Sequence, residues 1–194
     1  MGLFDDNPMH YDVNEAANLV GLDFLVNCIV NSWGEIAAVY TGTLDTVHAA
    51  AVKDAKNHYL TPTTRDKDIV IANNFTKANE TRIGLSVALP VVKNTGGDIV
   101  LIGNTPDGQA THYLLGPFGK TMWADLHQTL VLPPHINHLI VFSEYPHRGS
   151  SWMDDNEKVI YINKWDEVLE VLQKYHGPDT KVSLFPNSAI QYCV

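Results

Sequence analysis

The chain has 194 residues, 45% of them hydrophobic and 18% charged, and its 22 acidic against 13 basic side chains give a formal net charge of −9. That length suits one medium domain able to bury about 70% of the surface its unfolded form exposes, and no linker or internal repeat divides residues 1–194. The acidic balance, without a Lys/Arg run to neutralise phosphates, argues against a nucleic-acid partner. No run of about 18 apolar residues could span a membrane and no basic-plus-apolar leader opens the chain, so a cytoplasmic location is expected.

In chain order, an extended lead-in passes into a short helix at Glu15-Ala-Ala-Asn-Leu-Val20, with Asp12 or Asn14 as its cap. Two β-like runs, Leu22 to Val30 and Glu35 to Thr41, flank Asn31-Ser-Trp-Gly34 and read as a hairpin. Cys28 falls within the first run and reads as a small buried hydrophobe; with only Cys193 besides, no disulfide framework is expected. Helical spacing begins at Leu44 and continues through Val47, His48, Ala51, Val52, Ala55 and Tyr59, until Pro62 stops it.

The pattern then alternates. Strands are predicted at Asp68 to Asn73, Asp98 to Asn104, Asn137 to Ser143, Lys158 to Ile162 and Lys181 to Phe185. Helices are predicted at Glu80 to Lys93, cut short or kinked by Pro90, at Met122 to Leu130 and at Trp165 to Tyr175. The strands are continuous apolar runs, as expected for strands buried on both faces, and intervening helices imply crossover connections. The expected fold is α/β: a three-layer domain with a mostly parallel sheet, preceded by an antiparallel hairpin and helix.

Four strand ends or following loops are polar: Asn73 to Arg82, Asn104 to Tyr113, Ser143 to Ser151 and Pro186-Asn187-Ser188. If the strands are parallel, all four lie on one edge, where ligands of α/β proteins bind. Loops are polar for solvation and capping as well, so each alone says little. In the first, Lys77 offers a mobile ammonium, Arg82 a planar fork and Glu80 a carboxylate, suited to holding an anion or moving a proton. The plainer alternative makes Asn79 a helix cap, Glu80 a first-turn acid and Arg82 a solvated side chain. The second loop ends in His112-Tyr113, where an imidazole could act as acid or base. His135-Ile-Asn-His138 has metal-like spacing, but it follows two prolines and leads into a strand, and no cysteine or carboxylate completes a set nearby. No dinucleotide fingerprint, P-loop, nucleophile elbow or Cys/His pair at recognisable spacing is present.

Several segments together resemble the lactate racemase family. They are Asn7-Pro8 with Asp12-Val-Asn-Glu-Ala-Ala17, Gly21-Leu-Asp-Phe-Leu-Val-Asn27, Gly34-Glu-Ile-Ala-Ala-Val-Tyr-Thr-Gly42, His48, Asp68-Ile-Val-Ile-Ala-Asn73, Gly96-Gly-Asp-Ile-Val-Leu-Ile102 and Val182-Ser-Leu-Phe-Pro-Asn187. The match covers nearly the whole chain but only the carboxyl-terminal portion of the family's two-domain enzymes. The resemblance implies a nickel-pincer nucleotide in the full-length enzyme, which takes a hydride from the α-carbon of a 2-hydroxy acid and returns it to either face. The covalent lysine, nickel-binding histidine and catalytic histidines of that chemistry belong to the amino-terminal domain, and none of their motifs occurs here. This chain alone is therefore expected to bind no cofactor and to be inactive.

The resemblance also implies that the carboxyl-terminal domain closes the cleft and supplies a lysine from the segment matching Asn73 to Arg82. The family pattern there is a Tyr-Gln pair with a lysine one turn later, whereas this chain has Glu80-Thr81 and Arg82-Ile-Gly84, with Lys77 earlier. Either Lys77 or Arg82 fills that role, or the substrate differs from lactate. The expected catalytic residues are Lys77, Arg82 and His112, with Asn73, Asn74, Glu80 and Tyr113 in substrate binding and no metal ligand. The expected partners are the amino-terminal domain and a small 2-hydroxy acid, with neither nucleic acid nor membrane. The alternative is a stand-alone α/β module that binds a small anion without catalysis.

Overall fold

A computed structural model describes residues 6–106, 108–109, 130–145 and 156–194. They cluster into two compact units, one built on the chain up to Pro62 together with Ile190–Val194, the other on Thr63–Ala189.

In the first unit, α1 runs from Pro8 to Leu19. It starts earlier than its apolar pattern suggests, because Asn7 caps it by accepting from the Met9 amide (3.2 Å) and Pro8 supplies the preset first helical residue. The hairpin expected from the alternation is present as β1 (Leu25–Val30) and β2 (Ile36–Gly42), paired antiparallel. Its turn is held by Asn31, whose side-chain oxygen accepts from the amides of Trp33 (2.9 Å) and Glu35 (3.0 Å). Helix α2 (Leu44–His58) packs on the hairpin, and Ile29, Val47 and Ala51 are buried. Because strand residues alternate between faces, burying Ile29 turns its neighbour Cys28 outward; Cys28 is exposed, not the buried hydrophobe expected of it. Two-residue strands β3 (Leu60–Thr61) and β9 (Tyr192–Cys193) pair in parallel.

The second unit holds five parallel strands: β4 (Ile69–Asn73), β5 (Gly97–Ile102), β6 (Ile136–Phe142), β7 (Val159–Ile162) and β8 (Val182–Phe185), in the order β7-β6-β5-β4-β8. The central strands are closed off from solvent on both sides, with Val70, Ala72, Ile99, Val100, Leu101, Leu139 and Ile140 all at 0% exposure. On one face, Val168 and Leu172 of α4 (Trp165–Tyr175) pack on Ile69, Val100, Ile140 and Phe142. The other face is buried with Leu85, Val87 and Ala88 of α3 (Leu85–Ala88). This is the three-layer α/β arrangement with a parallel sheet that the apolar runs predicted. The helix expected over Met122 to Leu130 lies outside the described residues except for Leu130.

One element differs from expectation. The helix predicted from Glu80 to Lys93 is a 3-10 segment over Phe75–Gly84, broken at Lys77 and Glu80, followed by the single α-helical turn of α3. Asn79 therefore caps nothing. Side chains from outside the segment hold this path by binding its backbone groups. Gln109 Oε1 accepts from the Thr81 amide (2.9 Å), Gln109 Nε2 donates to the Ala78 carbonyl (3.0 Å), and the Asn74 amide donates to the Thr81 carbonyl. A sequence window sees the apolar spacing but not partners 28 or 31 positions away.

Candidate functional site at the carboxyl edge of the sheet

Because all five strands are parallel, the polar strand ends do converge on one edge, as the sequence suggested. The chain steps outward from β4 through β5, β6 and β7, then returns to lay β8 on the opposite side of β4. The order reverses between β4 and β8, and such a switch point opens a crevice beyond the strand ends. The loops after these two strands are Asn74 onward and Pro186-Asn187-Ser188.

These loops are bound to each other. The Ser188 amide donates to the Asn73 carbonyl (2.7 Å), and the Ser188 hydroxyl reaches the same carbonyl (3.0 Å) and the Asn74 side-chain oxygen. Asn187 Oδ1 accepts from the Thr76 hydroxyl at 2.9 Å. Asn74, Thr81, Asn187 and Ser188 are all buried, so their hydrogen bonds replace solvation that would be costly to lose. Asn74 thus sets the path of the loop from beneath, and its side chain is not presented at the surface. A Cβ on Gly103 would stand 1.9 Å from Thr81 Oγ1, which shows how tightly the β5 end is drawn against this loop. Further along the edge, Asn104 and Glu144 tie β5 to β6, the Asn104 amide donating to Glu144 Oε2 (3.0 Å) and the Glu144 backbone amide to Asn104 Oδ1 (2.9 Å).

On this fixed floor sit the charged residues. Lys77 and Glu80 occupy the two breaks of the 3-10 segment and meet at 3.2 Å, with side chains 53% and 38% exposed. An ion pair this open contributes about 0–1 kcal/mol, so it orients the ammonium without locking it, and an incoming carboxylate can take the place of Glu80. Arg82 is half-buried, and burial holds its guanidinium below its ordinary value. Asn73 is half-buried at the end of β4. The structure therefore brings Asn73, Lys77, Glu80 and Arg82 onto one short loop. His112 and Tyr113 lie outside the described residues.

Gln109, Thr81, Asn187 and Ser188 are the residues that sequence reasoning left without a role. The polar character of Pro186-Asn187-Ser188 was visible, but its pairing with Asn73 to Thr76 depends on β8 lying beside β4, which no local pattern announces. His138 serves another purpose at the opposite, amino edge. Its Nδ1 and His176 Nε2 donate to the two carboxylate oxygens of the wholly buried Asp98, at 2.9 and 2.7 Å. Among the described residues no group of three or more His, Cys, Asp or Glu could hold a metal ion. Among them, too, no helix is long and apolar enough to cross a membrane.

No family model matches the sequence, and no curated protein matches it either. Solved structures do match the fold. The lactate racemase apoprotein from Thermoanaerobacterium thermosaccharolyticum superposes with a TM-score of 0.67 over 100% of this chain, at 18% sequence identity. The chain has a lactate racemase-like fold. It spans 51% of the racemase chain, about half its length.

Proposed function

We propose that this chain is the substrate-closing, carboxyl-terminal half of a lactate racemase-like enzyme that racemises or epimerises a small 2-hydroxy acid, and that it is inactive alone. The observation that carries the reading is the coincidence of that fold with a cationic loop, Lys77 and Arg82, at the switch point of the sheet. Exposed apolar surface on Phe75 and along β8 adds support. Phe75, immediately past β4, is 52% exposed, and Val182 and Leu184 of β8 are 50% and 61% exposed, aligned with Ile69 and Ile71 on one sheet face. A domain that worked alone would gain by covering them.

In this reading the acid's carboxylate replaces Glu80 as the partner of Lys77, and Arg82 supplies a second donor. Glu80, once released, can accept the substrate hydroxyl's hydrogen, and Asn73 offers an amide at the base of the loop. Asn74 acts by holding that loop in place. His112 and Tyr113, which follow β5 in the sequence, complete the residues proposed for the substrate. The described residues group no ligand set for a metal-bearing cofactor. The nickel-pincer nucleotide is assigned to an amino-terminal domain, and no step given to this chain passes through it.

The test is kinetic, on this chain joined to or mixed with a cofactor-loaded amino-terminal domain. A charge-assisted contact contributes about 1.5–3 kcal/mol, so Lys77→Ala should lower kcat/KM for the preferred 2-hydroxy acid by roughly ten- to a hundredfold. The folded stability should not change, since the Lys77–Glu80 pair is exposed. Unchanged kinetics in both Lys77→Ala and Arg82→Ala would remove this loop from the site.

A further inference from the structure

The first unit is built on very little interior. Among its described residues, the buried hydrophobic side chains are Ile29, Val47 and Ala51. Helix α1 buries none of its residues, and it meets α2 through His10, which stacks on His48 with centroids 4.6 Å apart. Its apolar residues stay exposed. Met9, Val13, Ala16 and the C-cap Val20 recur at four-, three- and four-residue spacing and so form one stripe. Met9, Val13 and Val20 are 74%, 60% and 80% exposed. The hairpin repeats this arrangement. One of its faces packs under α2; on the other, Val26 lies opposite Thr41 and Cys28 opposite Val39, all four exposed and none charged. A two-stranded hairpin and two helices with so small a core are marginal by themselves.

We propose that the α1 stripe and the outer hairpin face are the seat of the amino-terminal domain invoked above, whose matching surface is apolar with a basic rim. Charge selects that occupant. The chain has no lysine or arginine before Lys53, while seven acidic residues, from Asp5 to Asp45, precede it. Two of them, Asp12 and Glu15, are exposed on α1 next to Val13 and Ala16 of the stripe. A second copy of this chain would set acid against acid, and an anionic lipid surface would be repelled as well. An apolar groove rimmed by lysine and arginine complements this surface, in the mode by which an amphipathic helix is held in a groove. In the racemase of the same fold, the 51% spanned by this chain is accompanied by nearly as much again. The identity of the occupant rests on the function proposed above; the need for one rests on the residues of the first unit.

The experiment is a calorimetric titration of the full chain with the cofactor-loaded amino-terminal domain of the same enzyme, at low and at high salt, beside sedimentation of the chain alone. The expected result is saturable association that weakens as salt rises. Val13→Asp and Val39→Asp each place a charge in the apolar contact and should weaken association about tenfold or more. Their far-ultraviolet circular dichroism should stay that of the parent, because both side chains are exposed. The proposal is overturned if no association occurs or if both aspartate variants associate like the parent. It is also overturned if the chain alone forms a dimer that Val13→Asp dissociates, which would give the surface to a second copy. The two readings fail separately. Weakened association in the aspartate variants, with unchanged kinetics in Lys77→Ala and Arg82→Ala, removes the substrate loop and keeps this surface. Unweakened association in the aspartate variants, with impaired kinetics in Lys77→Ala, keeps the loop and overturns the surface.

Discussion

Asp68 and Asp98 flank the start of neighbouring strands at the amino edge of the sheet, and each draws its partners from distant parts of the chain. Asp68 pairs with Lys93 and accepts from the Lys181 amide at 2.7 Å, which hold its carboxyl below the usual range against a smaller opposing effect of burial. A carboxyl depressed in the folded state stabilises the protein above its unfolded value of about 3.9, and that contribution is lost as pH falls through the folded value. In Lys93→Met the leading cause of the depression is gone. Stability measured by urea unfolding should then be lower at neutral pH and should fall less steeply on acidification below about pH 4. An unchanged slope would mean that Lys93 does not set the Asp68 proton affinity. Individual residues of this kind were only half legible. The sequence marked Lys77, Glu80 and Arg82 as chemically capable, because charge clusters after an apolar run are a local signal. It gave no sign that Asn74 would be buried or that His138 would turn to Asp98, because both depend on which strands become neighbours.

Among the elements, the strands were the most legible, since continuous apolar runs leave a parallel-sheet strand little alternative. The two-residue strands β3 and β9 were not foreseen, because so short a pairing has no periodicity to read. The stretch from Glu80 to Gly84, predicted as the start of a longer helix, departs from expectation for a different reason. Its apolar spacing is helical, yet Gln109 and Asn74 bind backbone groups of Phe75–Gly84, which bends at Lys77 and Glu80. That bend depends on close approach of the β5 end. Gly103→Ala would place a methyl 1.9 Å from Thr81 Oγ1 and 3.0 Å from the Ala78 carbonyl. Relieving it means moving the loop, and overpacking of this sort costs about 1–3 kcal/mol. The urea midpoint of Gly103→Ala should therefore fall, with the slope of the transition unchanged; a midpoint equal to the parent's would show that the loop gives way freely.

At the scale of the whole molecule, the α/β class and the parallel sheet followed from the order of apolar runs, but the order of strands within the sheet did not. The return of β8 to the side of β4 creates the switch point, and it also leaves Val182 and Leu184 uncovered. In the proposed reading, the cationic loop forms one wall of a site whose other wall is supplied by a second domain, in keeping with a chain that spans 51% of a racemase of the same fold. The measurement that tests this most directly is calorimetry of D- and L-lactate and related 2-hydroxy acids, with this chain alone and with it joined to a cofactor-loaded amino-terminal domain. Saturable binding only in the joined protein is the predicted result. Tight binding by this chain alone, unaltered by the second domain, would contradict it and favour a self-contained anion-binding module.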